Sequence, residues 1–131
     1  MFPDAILKSN GSISDTPSGE VEMATLEILG QKLGLMTAGP LFKFTEAISF
    51  VVECNSQEEI DTYWEKLSFV PESEACGWCK DKYGLSWQIV PSSMAEMMSK
   101  GSKEQVRRMV TAFMEMKKLD VALLQNAYDG A

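Results

Sequence analysis

The chain has 131 residues, 45% of them hydrophobic, with twelve Lys plus Arg against nineteen Asp plus Glu: a formal net charge of -7, and no histidine. That length holds one domain with one substantial core. The acidic balance argues against nucleic acid or an anionic membrane surface as a partner, because such binding draws on dense positive charge.

No apolar run reaches the length of a membrane-spanning helix, and the start, MFPDAILKSNGS, lacks the basic and long apolar regions of a signal peptide. Together these predict a cytoplasmic protein. Three cysteines, an odd number, fit reduced thiols better than a disulfide framework.

In chain order, residues 1–19 combine a short apolar piece, Ala5-Ile6-Leu7, with a polar run, SNGSISDTPSGE, whose Gly, Ser, Asp and Pro read as a loop. The alternation of Val21, Met23, Thr25 and Glu27 with Glu22, Ala24, Leu26 and Ile28 predicts a strand. Gly30 then turns the chain into a second apolar strand, Leu33 to Met36, completing a hairpin. Residues 38–44, AGPLFKF, read as a loop with buried aromatic plugs.

In AISFVVEC, Ile48, Phe50, Val52 and Cys54 fall on one face of a strand, and Ala47, Ser49, Val51 and Glu53 on the other. Ser56 and Glu59 form a capping-box pattern, and Ile60, Tyr63, Trp64 and Leu67 follow at helical spacing. The stretch CGWCKDKYGLSWQIVP, residues 76–91, reads as a hairpin: a strand to Lys80, a turn over Asp81 to Gly84, and a strand from Leu85 to Val90. SSMAEMMSK and SKEQVRRMVTAFMEMKK read as helices, the second with Val106, Met109, Val110 and Phe113 as its buried stripe. Asp120 is placed to cap a last helix. The element order lacks the strand-helix alternation of a parallel sheet and predicts a mainly antiparallel α+β domain. A weak repeat relates Glu27–Leu35 to Asp81–Ile89, each running turn, Gly, then alternating strand.

GPLFKFTEAISFVVEC, QEEIDTYWEKL, CGWCKDKYGLSWQIVP and RRMVTAFMEMKKLDVALLQNAY resemble PhnB-like proteins, often labelled 3-demethylubiquinone-9 3-methyltransferase-like, of the glyoxalase/bleomycin-resistance/dioxygenase (vicinal oxygen chelate) superfamily. The resemblance implies paired βαβββ modules, mainly antiparallel curved sheet around a cavity, and assembly as a homodimer. It divides the chain into a partial first module over 1–44, a second module over 45–91 and C-terminal helices over 92–131. Members usually begin with a further strand, carrying an LWF-like motif, and a helix, so the expectation is either that this sequence starts short or that its first module lacks that unit and leans on a second copy.

Superfamily enzymes hold a divalent ion through His, Glu or Gln on inward strand positions. Carried onto this chain, those positions fall on Ala47, Gln88 and Gly34, which predicts no metal and no other cofactor. The C-x-x-C of Cys76 and Cys79 is expected in a strand, where residues three apart point to opposite faces about 10 Å apart, beyond disulfide reach. Cys76 would then share a face with Trp78. A methyltransferase of the Rossmann type needs a Gly-rich strand-to-helix turn, and the chain has no G-x-G.

What these residues leave is a cavity. Ser49, Trp78, Ser86 and Gln88 are the expected ligand-binding residues for a small organic molecule, since polar groups on an inward face need partners. An alternative is a metal-independent enzyme with Glu46 as base or Cys76 as nucleophile. A third reading is a structural dimer with no ligand, its cavity filled by its own side chains.

Overall fold

The computed structural model describes residues 1–131, which fall into two compact units, Met1–Lys43 and Phe44–Ala131. The architecture is α+β.

The first unit is a three-stranded antiparallel sheet in the order β1 (Ile6–Thr16), β2 (Gly19–Ile28), β3 (Gln31–Met36). The predicted β2–β3 hairpin is present, turning at Leu29-Gly30 with φ of 49° and 74°. Positive φ at both central residues is the hairpin turn that matches strand twist. The polar run read as a loop is instead most of β1, paired with β2 from Ile6 opposite Glu27 to Thr16 opposite Gly19. Its side chains carry no apolar alternation because the strand is exposed along almost its whole length. The ladder with β2 supplies what the side chains do not. Pro17 and Ser18 make the turn, where the Thr16 hydroxyl donates to Gly19 O at 2.7 Å.

The expected aromatic plugs of residues 38–44 are not buried. Leu41 is 79% exposed, Phe42 93% and Phe44 59%. They lie in irregular chain between β3 and the next strand, where no sheet face or helix covers them.

The second unit is built on a sheet in the order β4 (Ser49–Cys54), β6 (Ser86–Pro91), β5 (Trp78–Lys80). β5 and β6 form the predicted antiparallel hairpin, whereas β4 runs parallel to β6 with the helix α1 (Gln57–Leu67) between them in sequence. Asp81 organises the hairpin turn: its carboxylate accepts from Tyr83 N at 2.8 Å, Leu85 N at 3.1 Å and Trp87 Nε1 at 2.9 Å.

α1 starts as its sequence predicts, with Ser56 Oγ accepting from Glu59 N at 3.2 Å, while the Glu59 carboxylate returns to Asn55 N at 2.7 Å. Its Ile60 and Leu67 are buried, as are Val52 and Cys54 of β4, Cys79 of β5 and Ile89 of β6. α1 packs against all three strands of this sheet. Ile48 and the ring of Phe50, expected on the same apolar face, stay 68% and 40% exposed.

Three helices follow: α2 (Ser93–Lys100), α3 (Lys103–Met114) and α4 (Val121–Asp129). α3 has a reciprocal capping box between Ser102 and Gln105, and α4 starts at Asp120, whose carboxylate accepts from Leu123 N at 2.9 Å. Met97, Met109, Leu119 and Leu124 form their core, with Val110 and Phe113 of the predicted stripe packed against it. Gln57 ties α1 to the start of α4, donating to Leu119 O at 3.1 Å and accepting from Val121 N at 2.9 Å.

A short 3-10 turn, Pro71–Ser73, leads to a tight reversal at Cys76-Gly77, where Ala75 and Trp78 exchange backbone hydrogen bonds of 3.1 and 2.7 Å. The reversal is pinned by Cys76 N and Gly77 N, which donate to Met116 O at 2.7 Å and Lys117 O at 2.8 Å. Gly77 has φ 84°, and a Cβ there would lie 3.0 Å from Ile89 O and 3.1 Å from Leu119 Cδ1. Gly77→Ala therefore combines left-handed strain of roughly 1–2 kcal/mol with a clash against a buried backbone oxygen. Urea unfolding is expected to show a loss of about 2 kcal/mol or more.

Candidate functional site

Strand parity divides β6, placing Ser86, Gln88 and Val90 on one face and Trp87, Ile89 and Pro91 on the other. The parallel register sets Ser49 beside Ser86 and Val51 beside Gln88, and the antiparallel register sets Trp78 beside Gln88 and Lys80 beside Ser86. Ser49, Trp78, Lys80, Ser86 and Gln88 thus share the face opposite the one that α1 covers. All four expected ligand-binding residues lie on it.

Gln88 and Ser49 satisfy one another, Gln88 Nε2 donating to Ser49 Oγ at 2.9 Å. Ser86 does not find such a partner. It is 1% exposed, and its Oγ is the one buried side-chain oxygen or nitrogen in the chain with no hydrogen bond. A buried hydroxyl left unpaired costs about 1–3 kcal/mol, so a fold retains one only against that penalty.

Ser86 lines a cleft of about 340 Å³ together with Glu46, Glu72, Ser73, Trp78 and Lys80. Glu46 comes from the turn before β4, Glu72 and Ser73 from the 3-10 turn, and the others from β5 and β6. Glu46 forms an ion pair with Lys80. The hydrogen bond from Lys80, aided by a backbone hydrogen bond and by the lysine's charge, holds the Glu46 carboxyl below the usual carboxylate range. Glu72 has neither a hydrogen bond nor an ion pair.

Lys80 and Glu72 were not among the expected site residues. Lys80 lies two residues after Trp78, so strand parity could have placed it on the same face. Glu72 arrives through a 3-10 turn, which leaves no period to read.

The structure does not bring Cys76 to this cleft. The residue is not on a strand face beside Trp78: with φ 53° it occupies the first corner of the reversal, Gly77 the second. Its Sγ lies 3.6 Å from Met114 O and 3.7 Å from Met114 Sδ. All three cysteines are free thiols. Burial pushes the Cys79 thiol up to about 12, with the charges of Glu74 and Asp81 adding to it, and pushes Cys54 up to about 11, with Glu59 adding.

A protein-family model described as 3-demethylubiquinone-9 3-methyltransferase matches residues 1–90, covering both sheets. The chain belongs to this family. Its PhnB-like members form part of the glyoxalase/vicinal oxygen chelate superfamily. None of the curated proteins matches the chain.

The PhnB-like assignment implies a divalent ion and, through the family's description, a methyl donor, and neither fits these residues. No group of three or more His, Cys, Asp or Glu side chains is placed to hold a metal. At the ligand positions implied by the superfamily, Ala47 and Gly34 offer no donor side chain, and Gln88 offers one neutral amide already engaged with Ser49. The turn from β4 into α1, where a parallel strand-helix unit would hold a donor's charged groups, has no glycine. There Ser56 Oγ accepts from Glu59 N, and the Glu59 carboxylate accepts from Asn55 N.

The thiols supply a direct check on this geometry. Alkylation of the native PhnB-like protein with iodoacetamide at pH 8 should label Cys76 alone, with Cys54 and Cys79 following only after unfolding. Rapid native labelling of Cys79 would contradict its burial. Because the folded Cys79 value lies above the ordinary 9.0, the unfolded chain loses that proton first. Stability should hold below pH 9 and fall as the pH rises from 9 toward 12, in a Cys79→Ala-sensitive manner.

Proposed function

We propose that this PhnB-like protein is a cytoplasmic homodimer that binds a small organic molecule in the Ser86 cleft, without a metal ion. The observation that carries the reading is the Ser86 hydroxyl: a nearly inaccessible polar group without a partner, on a cleft that also exposes the half-buried Trp78 ring to an occupant. A ligand atom that pairs with the hydroxyl removes the penalty, and Trp78 supplies apolar area. The Ser49–Gln88 pair lies on the same sheet face but does not line the cleft.

Binding is favoured over catalysis by the state of the cleft's reactive groups. Glu46 is tied to Lys80, which makes it a weaker base than a free carboxylate. Cys76 stands outside the cleft, and the Cys79 thiol is buried on the opposite face of β5 and held protonated at neutral pH. No helix is long and apolar enough to cross a membrane, which accords with the cytoplasmic part of the reading.

Dimerisation is supported by apolar surface on the first unit. Ile6, Leu7, Ile13, Met23, Leu35 and Met36 are between 43% and 65% exposed, and Leu41 and Phe42 more so. A three-stranded sheet with apolar side chains open on both faces is marginal by itself, and a second copy of the chain covers them. Sedimentation equilibrium at micromolar concentration should give twice the chain mass; a monomer would contradict this part.

The cleft is tested by Ser86→Ala in two measurements whose signs oppose. Removing a buried unpaired hydroxyl should raise the unfolding free energy by about 1 kcal/mol. In ligand-observed NMR with a panel of aromatic alcohols, acids and amines, the same change should weaken whichever probe binds the wild-type protein about tenfold. Loss of stability in Ser86→Ala, or unaltered probe binding, would refute the reading.

A further inference from the structure

We infer that the Ser86 cleft takes a small organic cation, an ammonium on an aromatic or aliphatic body. The inference rests on the cleft being a ligand site and adds the charge of its occupant.

Three ionised side chains line the cleft: Glu46, Glu72 and Lys80. Glu46 and Lys80 neutralise each other in their ion pair. The charge of Glu72 is left over. Its neighbour Glu74 is already committed, accepting from the Ser68 hydroxyl at 2.7 Å and pairing with Lys117 at 3.3 Å. No lysine or arginine pairs with Glu72, so the cleft carries one uncompensated negative charge and no free positive one.

The other two contacts suit a cation as well. Trp78 lies on the Ser86 face of the sheet, and its indole ring makes no aromatic pair or cation–π contact within the chain, although the Lys82 ammonium sits 5.0 Å from the Tyr83 ring. An unused tryptophan face in a cleft attracts ammonium groups, by about 0.5–1 kcal/mol at exposed sites and more when dehydrated. The Ser86 hydroxyl oxygen has lone pairs free to accept an ammonium N–H. A carboxylate ligand would instead find Lys80 already taken and would be repelled by the uncompensated charge of Glu72. At about 340 Å³ the cleft lies near the small end of ligand sites.

Calorimetric titration of the full chain with 2-phenylethylamine, 2-phenylethanol and phenylacetate separates the possibilities, because the three probes share a body and differ in charge. The amine should bind at least tenfold more tightly than the alcohol, and phenylacetate least. Glu72→Gln, a change at an exposed position, should remove most of the amine's advantage while leaving the alcohol's affinity and the melting temperature unchanged. Equal or tighter binding of the alcohol or the carboxylate overturns the cation and leaves the cleft standing as a ligand site. Amine binding that is indifferent to Glu72→Gln also overturns it. No binding by any of the three overturns both readings.

Discussion

The parallel pairing of β4 with β6 is the constraint on which the second unit depends. Its register, Ser49 beside Ser86 through Cys54 beside Pro91, fixes the parity of every side chain on both strands. One face then receives Val52, Cys54 and Ile89 and is covered by α1. The opposite face receives Ser49, Ser86 and Gln88. A slip of one residue would bury Gln88 under the helix and turn Ile89 outward, so the apolar cost of misregister holds the polar face in place. The short antiparallel β5 adds Trp78 and Lys80 to that same face.

Local electrostatics act within this frame. The Glu46–Lys80 pair joins the turn before β4 to β5, removes the cleft's positive charge and keeps the carboxylate ionised. Asp81, by taking three N–H donors, holds the β5–β6 turn and the Trp87 indole together on the opposite side. The one buried side-chain polar atom that the frame leaves unpaired is the Ser86 hydroxyl, and the Glu72 charge lies on the same cleft. The superfamily's metal chemistry asks for imidazole or carboxylate at positions where this chain presents Gly34, Ala47 and the amide of Gln88.

Much of this was legible in the sequence, and the reasons differ by element. The α1, α3 and α4 starts follow from side chains that satisfy the first free N–H groups, at Ser56, Ser102 and Asp120. Alternation in residues 49–54 and 86–91 was enough to sort the two faces of the second sheet. β1 was not legible, because an exposed strand held by its ladder to β2 needs no apolar period. Leu41, Phe42 and Phe44 misled for the converse reason: apolar residues predict burial only where an element covers them, and irregular chain between strands has none. Cys76 looked like a strand residue, yet the Gly after it allows a two-residue reversal in which both φ angles are positive. Glu72 depends on the path of a 3-10 turn, which no periodic pattern announces.

In the proposed complex, an occupant of the cleft pairs with the Ser86 hydroxyl. A crystal structure of the protein soaked with the tightest-binding probe tests it most directly. A ligand nitrogen or oxygen is expected within roughly 3.2 Å of Ser86 Oγ, with the apolar body of the ligand against Trp78. A probe seated elsewhere, with the Ser86 hydroxyl still unpaired or turned to a backbone carbonyl, would contradict it.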